Sequence, residues 1–334
     1  MQDEIAALMR AAGVPGFAML ILREGSEEII TSGITSRASA DPVTAETVFQ
    51  AASLSKPVVA HAALQLAGSG VLDLDRPLAQ IIAPLIPDDP RAALITARHV
   101  LSHRTGLPNW RREEYPLRSY FPPGARFSYS GEGFVYLQHA IERLTQEPLD
   151  ALIRRLVFDP LGMRQSSFVW RPDFASRVAD AHDAETVLDR FMPRQANAAY
   201  SLLTTAPDYG RFLAASLDGR LLTEAMARQW MTPEVLVPLR RTEALESDRP
   251  ELEDGVAWGL GWGLEPQAGS FFHWGANTGA RAFAMGMPAR RTALVLFANA
   301  EDGLRLLPPV LHSVLPARHP SLSWLELTSA DMLG

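Results

Sequence analysis

The chain has 334 residues, 47% of them apolar and 21% charged, with a formal net charge of −7. That is long and apolar enough for one large domain or two intertwined ones, and the acidic balance argues against nucleic acid or an anionic membrane as partner, since both require a basic face. There is no cysteine, which excludes disulfides, thiolate catalysis and Cys-ligated metal and leaves small-molecule chemistry as the working class.

Residues 3–12 have helical apolar spacing and stop at Gly13. The N-terminal run MQDEIAALMRAAGVPG carries acids where a signal peptide needs basic residues, and the apolar run Phe17 to Leu22 is too short to span a membrane. As given, the chain reads as cytoplasmic, or as periplasmic or secreted if a leader has been removed. Next, GFAMLILREGSEEIITSGI gives two β-type runs around Glu24-Gly25-Ser26, a hairpin signal. PVVAHAALQLAGSG has helical spacing and a Gly-Ser-Gly stop, and Pro57, tolerated only in a first turn, predicts a helix start near Ser53. From about Asp75 to Asn197 helix signals dominate. Strand signals return in VAWGLGWGLE, SFFHWGA, ARAFAMGMP and RTALVLFANA, followed by a helical pattern over roughly Leu304 to Leu315. The expected architecture is α/β: residues 1–75 and 198–334 form one sandwich domain, and 76–197 form a helical domain inserted into it.

Of the 31 cationic residues, Lys56 is the only lysine; the rest are arginine. It lies three residues after Ser53, so on a helix the two share a face and the amine meets the hydroxyl. A desolvated amine gives up its proton and serves as a base, whereas a guanidinium does not. Ser53 is therefore the candidate nucleophile and Lys56 its base; a loose S-x-x-K match in an arginine-rich chain is the bland alternative. Ser55 is a competing hydroxyl, but it falls on another face of the helix.

FQAASLSKP, VLDLDRPL, ITARHVLSHRTGLP, PPGARFSYSGEGF, DPLGM, YSLLTTAPDYGRFL and HWGANTGARAFAMGMP occur in an order that resembles the serine β-lactamase and penicillin-binding-protein superfamily. The likeness is to its class C-like branch, with D-amino-acid peptidases and group VIII carboxylesterases. The resemblance implies an antiparallel sheet flanked by helices with an inserted all-helical domain, and two-step acyl transfer through an acyl-enzyme on Ser53. It implies that Tyr129, in Tyr129-Ser130-Gly131, shares the proton with Lys56, its phenol pKa lowered by nearby cations. It further implies that the backbone N–H groups of Ser53 and Ala276 form the oxyanion hole.

Two motifs depart from that pattern. Gly131 stands where the family has asparagine, and His273-Trp274-Gly275 stands where it has Lys-Thr-Gly. In this reading His273 supplies a titratable positive charge in place of the lysine, Gly275 leaves room for substrate, and Ser130, Trp110 and Trp274 complete the substrate-binding set. Trp110, Trp258, Phe272 and Trp274 are expected to make the cleft apolar. Both departures remove polar groups, so a carboxylesterase on small esters leads. A D-amino-acid peptidase, DD-peptidase or β-lactamase, with small amide or lactam substrates, is the alternative within the chemistry, and a non-catalytic binding protein the alternative outside it. No cofactor is called for.

Three further patterns are set aside. His99 and His103 are four apart but lack the Glu of a helical metal motif, so no metal is expected. GLGWG at Gly259–Gly263 is not followed by a helix signal as a nucleotide loop requires, and no G-x-S-x-G elbow is present.

Overall fold

The computed structural model describes residues 2–246 and 250–327; Met1 and residues 328–334, the outer ends of the expected sandwich domain, lie outside the described residues. Its helices are α1 (Gln2–Ala11), α2 (Ser55–Gly68), α3 (Ala97–Leu101), α4 (Gly131–Thr145), α5 (Leu149–Ile153), α6 (Asp159–Leu161), α7 (Ala206–Asp218), α8 (Glu224–Trp230), α9 (Leu307–Val314) and α10 (Pro320–Trp324). The strands are β1 (Gly16–Arg23), β2 (Ser26–Gly33), β3 (Phe49–Ala52), β4 (His182–Asp183), β5 (Thr186–Val187), β6 (Leu202–Thr204), β7 (Val235–Pro238), β8 (Leu252–Trp258), β9 (Gly263–Glu265), β10 (Ser270–Asn277), β11 (Ala280–Met287) and β12 (Thr292–Ala298).

Eight strands form one antiparallel sheet in the order β2-β1-β12-β11-β10-β9-β8-β7, so the N-terminal hairpin is sealed against the last strand of the chain. The hairpin turns at Glu24 and Gly25, both with positive φ (50° and 90°), the two-residue geometry that matches strand twist. β1 and β12 are buried on both faces, which explains their unbroken apolar runs. Ala18, Leu20, Val295 and Phe297 point into one core, shared with α2, α4 and α7. Phe17, Met19, Leu294 and Leu296 point into the other, shared with α1, α9 and α10.

α2 lies inside the first core: 11 of its 14 residues are buried, and its apolar side chains run all round rather than in a stripe. The span between β3 and β6 is mostly helix and loop, and besides its helices carries the two-residue ladder β4-β5. β3 pairs with β6 and packs against β10 and β11, which sets the start of α2 beside the middle strands of the main sheet.

Candidate active site

α2 begins at Ser55, two residues later than Pro57 alone suggests; Ser53 and Leu54 form the turn that precedes it. Ala52 enters that turn with φ +48°, a left-handed conformation costing a non-glycine residue about 1–2 kcal/mol. The neighbours hold it there. Ser55 Oγ donates to Ala52 O at 2.6 Å and accepts from Leu202 N–H at 3.0 Å, while Tyr209 Oη donates to Leu54 O at 3.0 Å. Ser55 is thus fully buried with its hydroxyl committed to the turn, and Ser53 alone of the pair reaches the cleft.

Lys56 Nζ lies 3.1 Å from Ser53 Oγ and 2.8 Å from Ala199 O. It also stands over the rings of Tyr129 and Phe134, 4.7 and 5.6 Å from their centroids. Burial pushes its amine well below the ordinary lysine value. A neutral amine here donates one N–H to Ala199 O and keeps its lone pair for the Ser53 proton.

Tyr129 is 4% exposed, and its backbone N–H donates to Thr242 O at 2.8 Å. Its Oη has no full hydrogen-bond partner among the described residues. Burial drives the phenol above its ordinary value, and the Ser53 hydroxyl only partly opposes that. This corrects the expected direction: burial outweighs the Ser53 hydroxyl, so Tyr129 is a neutral acid in the resting site. His103, set aside at the sequence level, stacks on Tyr129 at 4.1 Å between centroids, and its Nδ1 accepts the Ser130 N–H at 3.0 Å. Burial, then Lys56 and His273, keep the His103 ring uncharged.

The cleft has a volume of about 1060 Å³ and is lined by Ser53, Tyr129, Trp110, Trp274 and Ala276, among others. The other expected binding residues lie elsewhere. His273 is fully buried behind Tyr129, its Nδ1 paired with Trp274 O at 2.7 Å. Burial, and then Lys56, lower its pKa to about 3, so the ring is neutral and does not read substrate charge. Ser130 is buried too; its Oγ donates to Pro108 O and accepts Gly133 N–H, capping α4. Gly275 makes room for protein rather than substrate: a Cβ there would stand 2.4 Å from Ala51 O, so the glycine lets β3 lie against β10 and seats Ser53. Trp258 and Phe272 belong to the second core.

Gly131 is covered by an aromatic ring. A Cβ on it would meet Trp110 Cζ2 at 2.6 Å, so the Trp110 ring occupies the space a side chain at 131 would take. Residues that sequence reasoning missed, Phe191, Met192 and Tyr200, complete this wall from the segment after β5. Tyr200 lies in the YSLL stretch of the resemblance, a signal that was available; Phe191 and Met192 sit in a segment without periodicity. The cleft's cations are already paired: Arg111 with Glu132 at 2.8 and 2.7 Å, and Arg190 with Asp180 at 2.8 and 3.3 Å. No group of three or more His, Cys, Asp or Glu residues suited to a metal occurs among the described residues.

A hydroxyl, a buried amine and a buried phenol at the junction of an antiparallel sheet and a helical layer define a serine hydrolase of the β-lactamase fold. The chain belongs to the Beta-lactamase family, whose model matches residues 1–311. It is 27% identical over 329 residues to Penicillin-binding protein 4 of Amycolatopsis lactamdurans, covering 89% of this chain and 84% of that one. It is 30% identical over 194 residues to Esterase EstB of Burkholderia gladioli, covering 48% and 49% of the two chains. The fold superposes with a TM-score of 0.78 on a Beta-Lactamase/D-Alanine Carboxypeptidase from Pseudomonas syringae, at 17% identity, covering 96% of this chain and 98% of that one. No helix among the described residues is long and apolar enough to cross a membrane.

Proposed function

We propose that the protein is a carboxylesterase that hydrolyses small, uncharged esters through an acyl-enzyme on Ser53. The observation that carries the chemistry is the 3.1 Å approach of the buried Lys56 amine to Ser53 Oγ. The Ser53 Oγ attacks the ester carbonyl carbon as its proton passes to the Lys56 lone pair. The carbonyl electrons move to oxygen, and the N–H groups of Ser53 and Ala276 stabilise that oxyanion. Two features support this pair: Ser53 N–H donates to no protein acceptor among the described residues, and β10 runs past the end of β9 after Phe272, leaving that edge unpaired beside the cleft. Collapse breaks the ester C–O bond. Tyr129, held neutral, gives its proton to the departing alkoxide and is reprotonated from the Lys56 ammonium. Water repeats the sequence on the acyl-enzyme and releases the acid.

The choice of an uncharged ester rests on the cleft's charge. Both lining arginines are neutralised by carboxylates, His273 is uncharged, and Asp189 at the rim has no ion-pair partner among the described residues. Among the described residues lining the cleft, a substrate carboxylate finds no spare cation, as a β-lactam or D-amino-acid peptide requires. The partial match to Esterase EstB supports the same reading, and the longer match to Penicillin-binding protein 4 keeps peptide substrates as the second reading. A panel of p-nitrophenyl esters, nitrocefin and D-Ala peptides, run on wild type and Ser53→Ala, decides between them. Ester turnover that Ser53→Ala abolishes while the fold persists is expected. Faster turnover of nitrocefin or D-Ala peptides than of esters would overturn the ester assignment.

A further inference from the structure

The two N–H groups assigned to the oxyanion belong to different layers of the fold. Ser53 directly follows β3, which pairs with β6 in a two-stranded sheet, whereas Ala276 lies on β10 in the main sheet. Among the described residues no backbone hydrogen bond joins β3 to β10, so packing and side chains set the spacing of the two donors. The close approach of Ala51 O to Gly275 fixes how near the strands come. It does not fix how far one slides along the other. A directional contact does: Gln50 Oε1 accepts Asn277 Nδ2–H at 2.9 Å, the one hydrogen bond between β3 and β10 among the described residues. Gln50 stands three residues before Ser53 and Asn277 directly follows Ala276, so each amide is close in the chain to one donor.

Both partners are themselves held. Gln50 is in register with Leu203 of β6 and is buried, and both amides line the cleft. Asn277 O accepts Arg281 Nη1 at 2.7 Å, Arg281 pairs with Glu301, and Glu301 Oε1 accepts Gly279 N–H at 2.6 Å, which braces the turn between β10 and β11. Resting on the acyl-enzyme reading and its oxyanion pair, we propose that Gln50 and Asn277 are a positioning pair whose hydrogen bond holds the Ser53 and Ala276 N–H groups at the separation one tetrahedral oxyanion requires. Two amides suit that place. They tie the layers together without adding a full charge, whereas a carboxylate would repel the negative charge that develops beside it. In this role neither side chain touches the substrate; both act through the backbone that carries the donors.

The test compares wild type, Gln50→Met, Asn277→Leu, the double variant, and the exchange of Gln50→Asn with Asn277→Gln, which keeps the combined length of the two side chains. Two quantities are read per active Ser53, counted by titration with a fluorophosphonate. One is kcat and KM for p-nitrophenyl butyrate. The other is the affinity for butylboronic acid, in which Ser53 Oγ adds to boron, its proton passes to Lys56, and a boron-bound oxygen takes the oxyanion position. Removing an oxyanion donor outright lowers kcat about 10²–10³-fold, so misplacing one is expected to lower it by roughly tenfold in each single variant, with KM changed by less than about twofold. Boronate affinity falls by a similar factor. The double variant loses no more than either single one, because the bond is already gone, and the exchange recovers most of the loss. A merely structural pair would reduce the count of active sites and the melting temperature while kcat per site and boronate affinity stayed at wild-type values. That outcome overturns the proposal, as do additive losses in the double variant or a rise in KM alone. If wild type hydrolyses no ester, the esterase reading falls while the boronate series still decides this inference. If wild type forms no boronate adduct on Ser53, the oxyanion pair and this inference fall together.

Discussion

Lys56 and His273 both adjoin Tyr129, one from α2 and one from β10, and both are sealed from solvent. Burial works against the charge on each, and the consequences are opposite. For the amine, loss of the proton creates a base next to a hydroxyl. For the imidazole, it removes the charge that would have drawn a carboxylate, and with Nδ1 tied to Trp274 O the ring becomes packing. Desolvation has one sign for every cation; whether it builds or removes function depends on what the uncharged form faces. A cluster of Lys56, His103 and His273 around one phenol also disfavours any one of them charging, since each charge is felt by the others.

The comparison is broken most severely at Lys56. Lys56→Ala and Lys56→Arg are both expected to lower kcat/KM on the order of 10³-fold, because the guanidinium keeps its protons at any working pH. Acylation by Lys56→Arg at a near wild-type rate, followed by a stopped-flow burst, would show that charge and not basicity is used. On the other side, His273→Ala is expected to cost about 2 kcal/mol or more of stability by leaving a cavity, with equal fractional losses of kcat/KM on neutral and anionic esters. The ring takes up a proton only after unfolding, so its contribution is intact above about pH 6.5 and is lost as pH falls from there toward about 3. A selective loss on anionic esters, with an inflection near 6.5 in their pH profile, would restore a charge-reading histidine.

A smaller effect separates the two serines of the turn. Ser55→Ala leaves the Leu202 N–H buried without its acceptor, for about 1–2 kcal/mol in chemical denaturation, while a fluorophosphonate adduct still maps to Ser53 by mass spectrometry. The smallest effect comes from a buried histidine with a carboxylate at hand. In His319–Glu265, burial works against the charged ring but the Glu265 carboxylate outweighs it, so His319 titrates above its ordinary value. For Glu265 burial favours the neutral acid, but His319, Ser270 and Ser321 outweigh it and lower the pKa. The pair's stabilisation is therefore complete near pH 5–6 and declines as pH rises through the raised His319 value. Melting temperature should fall on that alkaline side by a degree or two more in wild type than in His319→Gln, the opposite direction to the acid loss assigned to His273.

Local rules carried the strand runs, the Glu24-Gly25 hairpin, the helix after Pro57 and the Ser53–Lys56 pairing, since each depends on spacing over a few residues. The sole lysine pointed to the base because a residue type used once in 31 cations needs a use that arginine cannot serve. Tertiary structure alone decided the rest. Whether His273 carries charge depends on the rings and strands stacked around it, and not on its neighbours in HWG. Gly275 looked like space for substrate until β3 was brought against β10, and Gly131 like a deletion until Trp110, 21 residues earlier in the chain, was found in its place. Ionisation and free volume are properties of everything within a few ångströms. A sequence orders only the neighbours along the chain, so it named the candidate groups and left open which of them are charged and which face the cleft.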